Sequence, residues 1–273
     1  MADEYPSRTL SRRESRLLST LSADGRTLFT VDDACAVLGL SRTTIRKVLH
    51  RLHQKGWIRR LERGKYLIVP LAAGPEVQWA EHECLIAASL VSPYYLAYAT
   101  ALHYYGYSER RPAVLMVATP RRKRTVKVDD LTCRFVTQPD HKFFGYGPIS
   151  LLDSTVQMAE REKAIADGFD RPRLVGGVLE AAKGLWFGRE ELDWTKLVTY
   201  VLRLQNGVAA RRMGFWLELL ALGDERSLSR LDGGGGHSYA RLEPSGTDDG
   251  PRSARWRLIV NIPERQLLEW REH

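Results

Sequence analysis

The stretch that decides the fold runs from Thr30 to Pro70 and reads TVDDACAVLGLSRTTIRKVLHRLHQKGWIRRLERGKYLIVP. Thr30 and Ser41 are residue types preferred at helix N-caps, where a side-chain oxygen accepts a hydrogen bond from a free backbone N–H. Gly39, between them, suits the left-handed conformation that ends many helices. The sequence therefore predicts two helices, over residues 31–38 and 42–55, joined by a short turn.

The second of these helices has an apolar face and a basic face. Its apolar residues follow the i, i+3, i+4, i+7 spacing of a buried stripe: Ile45, Val48, Leu49 and Leu52. The remaining surface, together with the N-cap, provides the candidate base-contacting residues: Ser41, Arg42, Thr43, Thr44, Arg46, Lys47 and His50. Such residues at the start of a second helix are typical of a helix-turn-helix that enters the major groove.

Two short β-type runs follow the second helix directly and predict a hairpin. They are Trp57–Ile58 and Tyr66–Val69, with a turn around Glu62–Lys65. The hairpin is rich in cations, namely Arg59, Arg60, Arg63 and Lys65. We interpret it as a wing that can contact backbone phosphates or a minor groove.

The flanking sequence supports this interpretation. A first amphipathic helix is predicted over Ser11 to Leu21, and Leu28–Phe29 is predicted to be extended. Residues 1–75 contain 14 Lys and Arg against 7 Asp and Glu, which is most of the net charge of +8. A basic surface of this kind binds polyanions by releasing condensed counterions, although it can also serve solubility alone.

The length of 273 residues fits two domains, and Leu71 to Pro75 is a candidate linker. We predict a winged helix-turn-helix DNA-binding domain over residues 1–73 and a second domain over 76–273. The fold class is α+β, with a small sheet and several helices in the larger, mixed α/β domain.

The second domain alternates apolar helical and strand-like segments. The sequence predicts a helix ending at Gly106 that contains most of a tyrosine cluster, which suits either core packing or base stacking. Strands are predicted over 113–118, 131–137 and 147–151, and a closing strand over 253–262. From Leu151 onward the pattern predicts helices, including 151–167 and 208–223. The basic run 121–127 suits a phosphate-contacting loop, a patch for an acidic or RNA partner, or a solvated hairpin tip.

Several classes of function lack their sequence signals. There is no apolar run of membrane-spanning length and no secretory signal, and the three widely spaced cysteines favour reduced thiols in the cytoplasm. No P-loop, nucleophile elbow, HExxH motif or dinucleotide fingerprint is present. We therefore expect no enzyme activity, no cofactor and no metal site.

The order of the parts resembles the AbiEi family of antitoxins from bacterial type IV toxin–antitoxin systems. Three stretches carry the resemblance: the wing-tip segment RGKY at Arg63–Tyr66, the segment YLAYATALHYYG at Tyr95–Gly106, and ISLLDSTVQMA followed by RRMGFWLELLALG at Arg211–Gly223. The resemblance implies a DNA-binding autorepressor that recognises inverted repeats in its own promoter. It also implies that the second domain neutralises a nucleotidyltransferase toxin, in this family often without a stable complex.

Two other functions are compatible with the residues themselves. One is a winged-helix transcription factor whose second domain senses a small ligand without any link to a toxin. The other is an enzyme domain tethered to DNA. A nucleotidyltransferase gene immediately downstream would favour the antitoxin.

Overall fold

The computed structural model describes residues 9–69, 79–128, 131–151, 154–232 and 238–271. The chain divides into two compact units. The N-terminal unit comprises Met1–Leu90 and Val126–Thr132, and the C-terminal unit comprises Val91–Thr125 and Cys133–His273. The candidate linker at residues 71–75 lies outside the described residues, so a domain boundary near residues 73–76 stays a prediction.

The N-terminal unit contains a winged helix-turn-helix, as the sequence predicts. Its elements are α1 (Arg12–Ala23), β1 (Leu28–Thr30), α2 (Val31–Leu38), α3 (Arg42–Gln54), β2 (Ile58–Glu62), β3 (Lys65–Ile68), α4 (Trp79–Ser89) and β6 (Val126–Val128). Strands β1, β3 and β2 form an antiparallel sheet in that order. The predicted extended link at Leu28–Phe29 is thus the third strand beside the wing.

Capping interactions fix the ends of the first two helices. The Thr30 hydroxyl accepts the Asp33 backbone N–H at 3.2 Å, and the Asp33 carboxylate accepts the Thr30 backbone N–H at 2.7 Å. This reciprocal pair is a capping box, and Ser11 and Glu14 form another at the start of α1. Gly39 ends α2 with a φ of 66°, a conformation that costs a residue with a Cβ more than it costs glycine.

The apolar stripes of the three helices meet in one core. Leu17 and Leu21 from α1 and Ile45 and Leu52 from α3 are fully buried, and Phe29 of β1 covers them. Each such side chain contributes about 1.5–3 kcal/mol through removal of apolar surface from water. This core holds α3 in place and leaves its basic face exposed.

The C-terminal unit combines a sheet with helices. Its larger sheet contains β7 (Leu131–Thr137), β5 (Val114–Thr119), β4 (Tyr95–Leu96), β9 (Ser154–Ala159) and β8 (Tyr146–Leu151), in that order. The helices are α5 (Ala99–Tyr104), α6 (Arg161–Asp170), α7 (Val178–Phe187), α8 (Trp194–Arg203), α9 (Gly207–Leu219), α10 (Glu225–Asp232) and α11 (Glu264–Leu268). A second sheet contains β10 (Ala240–Arg241), β12 (Leu258–Ile259) and β11 (Arg252–Ser253), in that order.

The helix predicted to end at Gly106 forms only in its second half. Tyr95 and Leu96 belong instead to β4, which pairs antiparallel with β5 and parallel with β9. Both residues are fully buried, and a short apolar run fits a central strand as well as a buried helix. The core-packing interpretation of the tyrosines holds for Tyr95, Tyr98 and Tyr107, which are almost completely buried.

The helical prediction for residues 151–167 is also corrected. Residues 154–159 form β9, which pairs with β8 in antiparallel register from Tyr146↔Ala159 to Leu151↔Ser154. The helix α6 begins only at Arg161. Pairing with a preceding strand overrides the helical preference of this segment, because tertiary pairing commonly outweighs local propensity. The closing strand predicted over 253–262 is reduced to the short strands β11 and β12.

A buried ion pair lies at the centre of the C-terminal unit. Lys163 and Asp167 are one turn apart on α6, both with fully buried side chains, and they are hydrogen-bonded to each other. The Lys163 ammonium also donates to the Tyr95 hydroxyl at 3.0 Å. Burial lowers the pKa of Lys163 and raises that of Asp167, and each charge counters this effect on the other. The pair is thus a satisfied polar group inside an apolar core.

Within the C-terminal unit, helix α9 is hydrogen-bonded to the small sheet and to the segments beside it. Arg211 donates to the carbonyls of Ser238 and Arg257, and Arg212 donates to those of Arg241 and Leu242. Gly214, on the same helix, lies against the indole ring of the fully buried Trp256. A larger residue at Gly214 would collide with that ring.

Candidate nucleic-acid interface

The N-terminal half of α3 exposes most of the candidate base-contacting residues. Its N-cap, Ser41, is exposed, and its hydroxyl accepts the Thr44 backbone N–H at 3.4 Å. Thr43, Arg46, Lys47 and His50 are exposed as well. Thr44 is half-buried, and its hydroxyl lies 3.0 Å from that of Ser41. Ser41 and Thr44 therefore define the helix end, while the other residues are available to a ligand.

Some cations of the wing are exposed to solvent, whereas others interact with neighbouring residues of the protein. Arg60 and Arg63 are exposed, whereas Arg59 is half-buried and has a partner. Lys65 forms an ion pair with Glu62 at 2.9 Å. Gly64 adopts a φ of 84° at the tip of the hairpin, where a left-handed residue is needed. Arg60 and Arg63 are therefore the wing residues best placed to contact phosphates.

The wing tip is anchored to the start of α2. The Val31 backbone N–H donates to the Gly64 carbonyl at 3.0 Å. In the hairpin itself Arg60 is paired with Tyr66, and the register shifts between Arg60 and Glu62. A bulge of this kind changes the direction of side chains at a strand end.

Helix α3 and the wing together enclose a basic cleft of about 320 Å³. Arg46 and His50 line it from the helix, and Arg60 and Arg63 line it from the wing, so four residues predicted from two separate segments share one surface. His53 and Tyr66 also line the cleft and were not among the predicted residues. The helical spacing of residues 46, 50 and 53 could have identified His53, because these positions share one face. We call this surface the helix–wing cleft.

Arg42 differs from its neighbours because it already has an anionic partner. Its guanidinium donates from Nε to Oδ1 of Asp32, on α2, at 2.9 Å, and its Nη2 contacts the same oxygen. Hydrogen bonding and the charge of Asp32 raise the pKa of Arg42. Any contact of Arg42 with a base edge must therefore replace this ion pair.

Other cations of α3 hold the helix in place. Glu14 of α1 is fully buried, and its carboxylate accepts from Lys55 at 2.7 Å and from Arg51 at 3.2 Å. Burial tends to raise the pKa of Glu14, but Lys55, the Ser11 backbone N–H and Arg51 lower it to about 2. The C-terminal half of α3 thus docks to α1, while Thr43, Arg46, Lys47 and His50 of the N-terminal half remain exposed.

Nowhere in the described ranges do three or more His, Cys, Asp or Glu side chains cluster as metal ligands. In the same ranges, no helix combines the length and apolar character needed to cross a membrane.

Comparison with known proteins supports the assignment of the N-terminal region. Residues 16–69 match the family described as "Transcriptional regulator, AbiEi antitoxin", which confirms the family resemblance for this region. The match spans α1 through the wing. No curated protein sequence matches the chain.

The fold of the whole chain is similar to that of a crystallised protein. The crystal structure of RV2827C protein from Mycobacterium tuberculosis has 16% sequence identity and a TM-score of 0.68. The similarity covers 98% of this chain and 97% of that chain. At this identity the comparison establishes a shared fold.

Proposed function

We propose that this chain is an antitoxin and transcriptional autorepressor whose N-terminal unit binds double-stranded promoter DNA. The observation that carries the proposal is the helix–wing cleft, where Arg46 and His50 lie opposite Arg60 and Arg63. This cleft lies within the region that matches a family of antitoxin regulators.

Duplex DNA is the ligand that suits this geometry. A helix with exposed Thr43, Arg46 and Lys47 can enter the major groove, where Arg forms bidentate contacts with guanine. Arg60 and Arg63 of the wing can at the same time neutralise backbone phosphates. Inverted repeats would be bound by two copies, because a two-fold operator requires a two-fold protein.

The second part of the proposal is the neutralisation of a nucleotidyltransferase toxin by the C-terminal unit, without a requirement for a stable complex. The support is the sequence resemblance together with the family match of the N-terminal region. In this proposal the chain acts in the cytoplasm, by binding, with no catalysis of its own.

Promoter binding is tested by fluorescence anisotropy with the DNA upstream of the gene. Arg46→Ala should weaken binding by about 1–3 kcal/mol and relax sequence preference, as expected for a lost base contact. Arg63→Ala should weaken binding to all sequences and reduce the salt slope by about one, as expected for a lost phosphate contact. Arg110→Ala, an exposed arginine in the C-terminal unit, is the matched control. Wild-type affinity and salt slope in both wing and helix variants would refute this interface.

The Asp32–Arg42 pair allows a second test. Asp32→Ala removes the internal partner of Arg42, so we expect tighter binding to any duplex and a smaller preference for the operator. The gain should disappear when Arg42→Ala is added, because the freed guanidinium is its source. An equal gain with and without Arg42 would show that Asp32 acts only by general repulsion of DNA.

Neutralisation is tested by first sequencing the gene immediately downstream and, where it encodes a nucleotidyltransferase, co-expressing its product with the full chain. The chain should restore growth, and a variant with both Arg46→Ala and Arg63→Ala should restore it equally well when expressed from an independent promoter. Failure of the wild-type chain to relieve toxicity would leave a ligand-responsive regulator as the better description.

A further inference from the structure

A second basic cleft, of about 590 Å³, lies within the C-terminal unit. Four arginines from three segments line it: Arg134 from β7, Arg171 and Arg173 from the turn after α6, and Arg212 from α9. The volume falls in the range of sites for small molecules. We call this surface the arginine cleft.

The lining of the arginine cleft contains one carboxylate, and that carboxylate is already engaged. Asp170 accepts from the Lys142 ammonium at 2.7 and 2.9 Å and from the Asn206 amide at 2.8 Å. Its Oδ2 lies 3.8 Å from Nε of Arg171. Because Asp170 is shared with Lys142, most of the positive charge of the arginines remains without an anionic partner.

Arg212 is the buried member of the set, with 7% of its surface exposed. Its Nε and Nη2 donate to the carbonyls of Arg241 and Leu242 at 2.9–3.2 Å. Burial is the main cause that lowers its pKa, to about 10, so the group stays charged at neutral pH. The charges of Glu243 and Asp170 raise the pKa of Arg212 and so offset its burial, but only in part, and Arg212 forms no ion pair among the described residues.

Arg134 and Arg173 are the arginines of the cleft that are free to move toward a ligand. Both side chains are exposed. Arg134 has no ion-pair or hydrogen-bond partner in the described part of the chain. Arg173 donates one long hydrogen bond, of 3.5 Å, to the Pro244 carbonyl. At the rim, the Lys123 ammonium lies 5.4 Å from the ring centroid of Phe135, which lines the cleft. Lys123, from the basic run that starts at Arg121, therefore adds a positive charge next to this lining residue.

We propose that the arginine cleft binds a small anion that carries two or more phosphate groups, such as a free oligophosphate or a nucleoside polyphosphate. Guanidinium groups bind phosphate oxygens bidentately, and several converging arginines match a compact, multiply charged ligand. Nucleic acid fits less well because Phe135, the one aromatic residue of the described lining, is 8% exposed and offers little surface for base stacking.

The test is calorimetric titration of the full chain with inorganic pyrophosphate and, separately, with a nucleoside triphosphate. Arg134→Ala combined with Arg173→Ala should weaken binding about tenfold for each arginine removed. Both side chains are exposed, so thermal unfolding should be unchanged. Arg110→Ala combined with Arg226→Ala removes the same charge from exposed positions outside the lining and should change the affinity less than twofold.

A third variant separates this site from the helix–wing cleft. Arg46→Ala with Arg63→Ala should leave pyrophosphate binding intact, and its loss in that variant would assign the anion to the DNA-binding surface and overturn the proposal. Absence of saturable binding, or equal losses in the cleft variant and its control, would also overturn it. So would single-stranded RNA that binds through Arg134 and Arg173 without competition from pyrophosphate. None of these outcomes depends on promoter binding or toxin neutralisation.

Discussion

Glu14 is the buried carboxylate that joins α1 to α3, and its environment sets how the N-terminal unit responds to acid. Its pKa is held at about 2 instead of the usual 4.5, which corresponds to about 3 kcal/mol of folding free energy. Because the folded-state pKa is the lower one, this stabilisation is complete above pH 4.5 and is lost as the pH falls toward 2. About half of it should be gone at pH 3.

The perturbation that isolates this effect is Glu14→Gln, which keeps the shape of the side chain and removes its charge. The variant should be about 3 kcal/mol less stable at pH 7. The difference from the wild type should shrink between pH 4.5 and pH 3. Hydrogen exchange of peptides from α1 and α3 in the intact chain, corrected for intrinsic rates, measures the opening free energy of this unit alone.

Asp24→Asn, at the exposed end of α1, is the matched control and should change stability by less than about 0.5 kcal/mol. The reasoning would be refuted by a constant difference between wild type and Glu14→Gln from pH 6 to pH 3. In that case the hydrogen bonds of Glu14, and not its charge, would account for the stability.

The C-terminal unit offers two further predictions, both measurable by urea unfolding. Lys163→Met leaves the Asp167 carboxylate buried without its cation and should lower the free energy of unfolding by about 3–5 kcal/mol. Adding Asp167→Leu should recover most of this stability, because the unpaired charge is then removed as well. Equal stabilities of the single and double variants would contradict this reasoning. Gly214→Ala should cost about 1–3 kcal/mol because its Cβ meets the ring of Trp256, while Gly147→Ala, with open space around the Cβ position, is the control. Similar midpoints for the two glycine variants would show that Trp256 can move aside.

The winged helix could be predicted closely because its signals are local. Thr30 and Ser41 begin their helices, Gly39 ends one, and the apolar stripe around Ile45 has a regular period. Each signal acts within a few residues along the chain, and each is present in the structure.

The C-terminal sheet could be predicted only in part, because its central strand is defined by neighbours far away in sequence. Tyr95 and Leu96 are strand residues since β5 and β9 supply their hydrogen bonds. A run of buried apolar residues carries no local information on which partner it will meet. The same reason explains the helix wrongly predicted over residues 154–159.

The sites show the same division between local and long-range information. Arg46, His50, Arg60 and Arg63 were predicted because an amphipathic helix and a hairpin are visible in sequence. The partner of Arg42 could not be, since the contact depends on how α2 packs against α3. The arginine cleft was also missed, because its residues are separated by up to about eighty positions and none stands in a motif.

Under the proposed DNA-binding function, the ion pair between Arg42 and Asp32 would affect how the protein distinguishes its operator from other DNA. The Asp32 carboxylate competes with any external ligand for the Arg42 guanidinium, because the two groups form an ion pair. On DNA of random sequence, Arg42 would exchange the Asp32 carboxylate for a backbone phosphate. The binding free energy would change little, so the protein could dissociate and bind elsewhere. A correctly placed guanine offers two acceptors, O6 and N7, in the geometry of the guanidinium group. Its two hydrogen bonds with Arg42 would compensate for the loss of the ion pair with Asp32. In the proposed complex Arg42 would therefore increase the preference for the operator more than the overall affinity, because Asp32 competes with the DNA for its guanidinium.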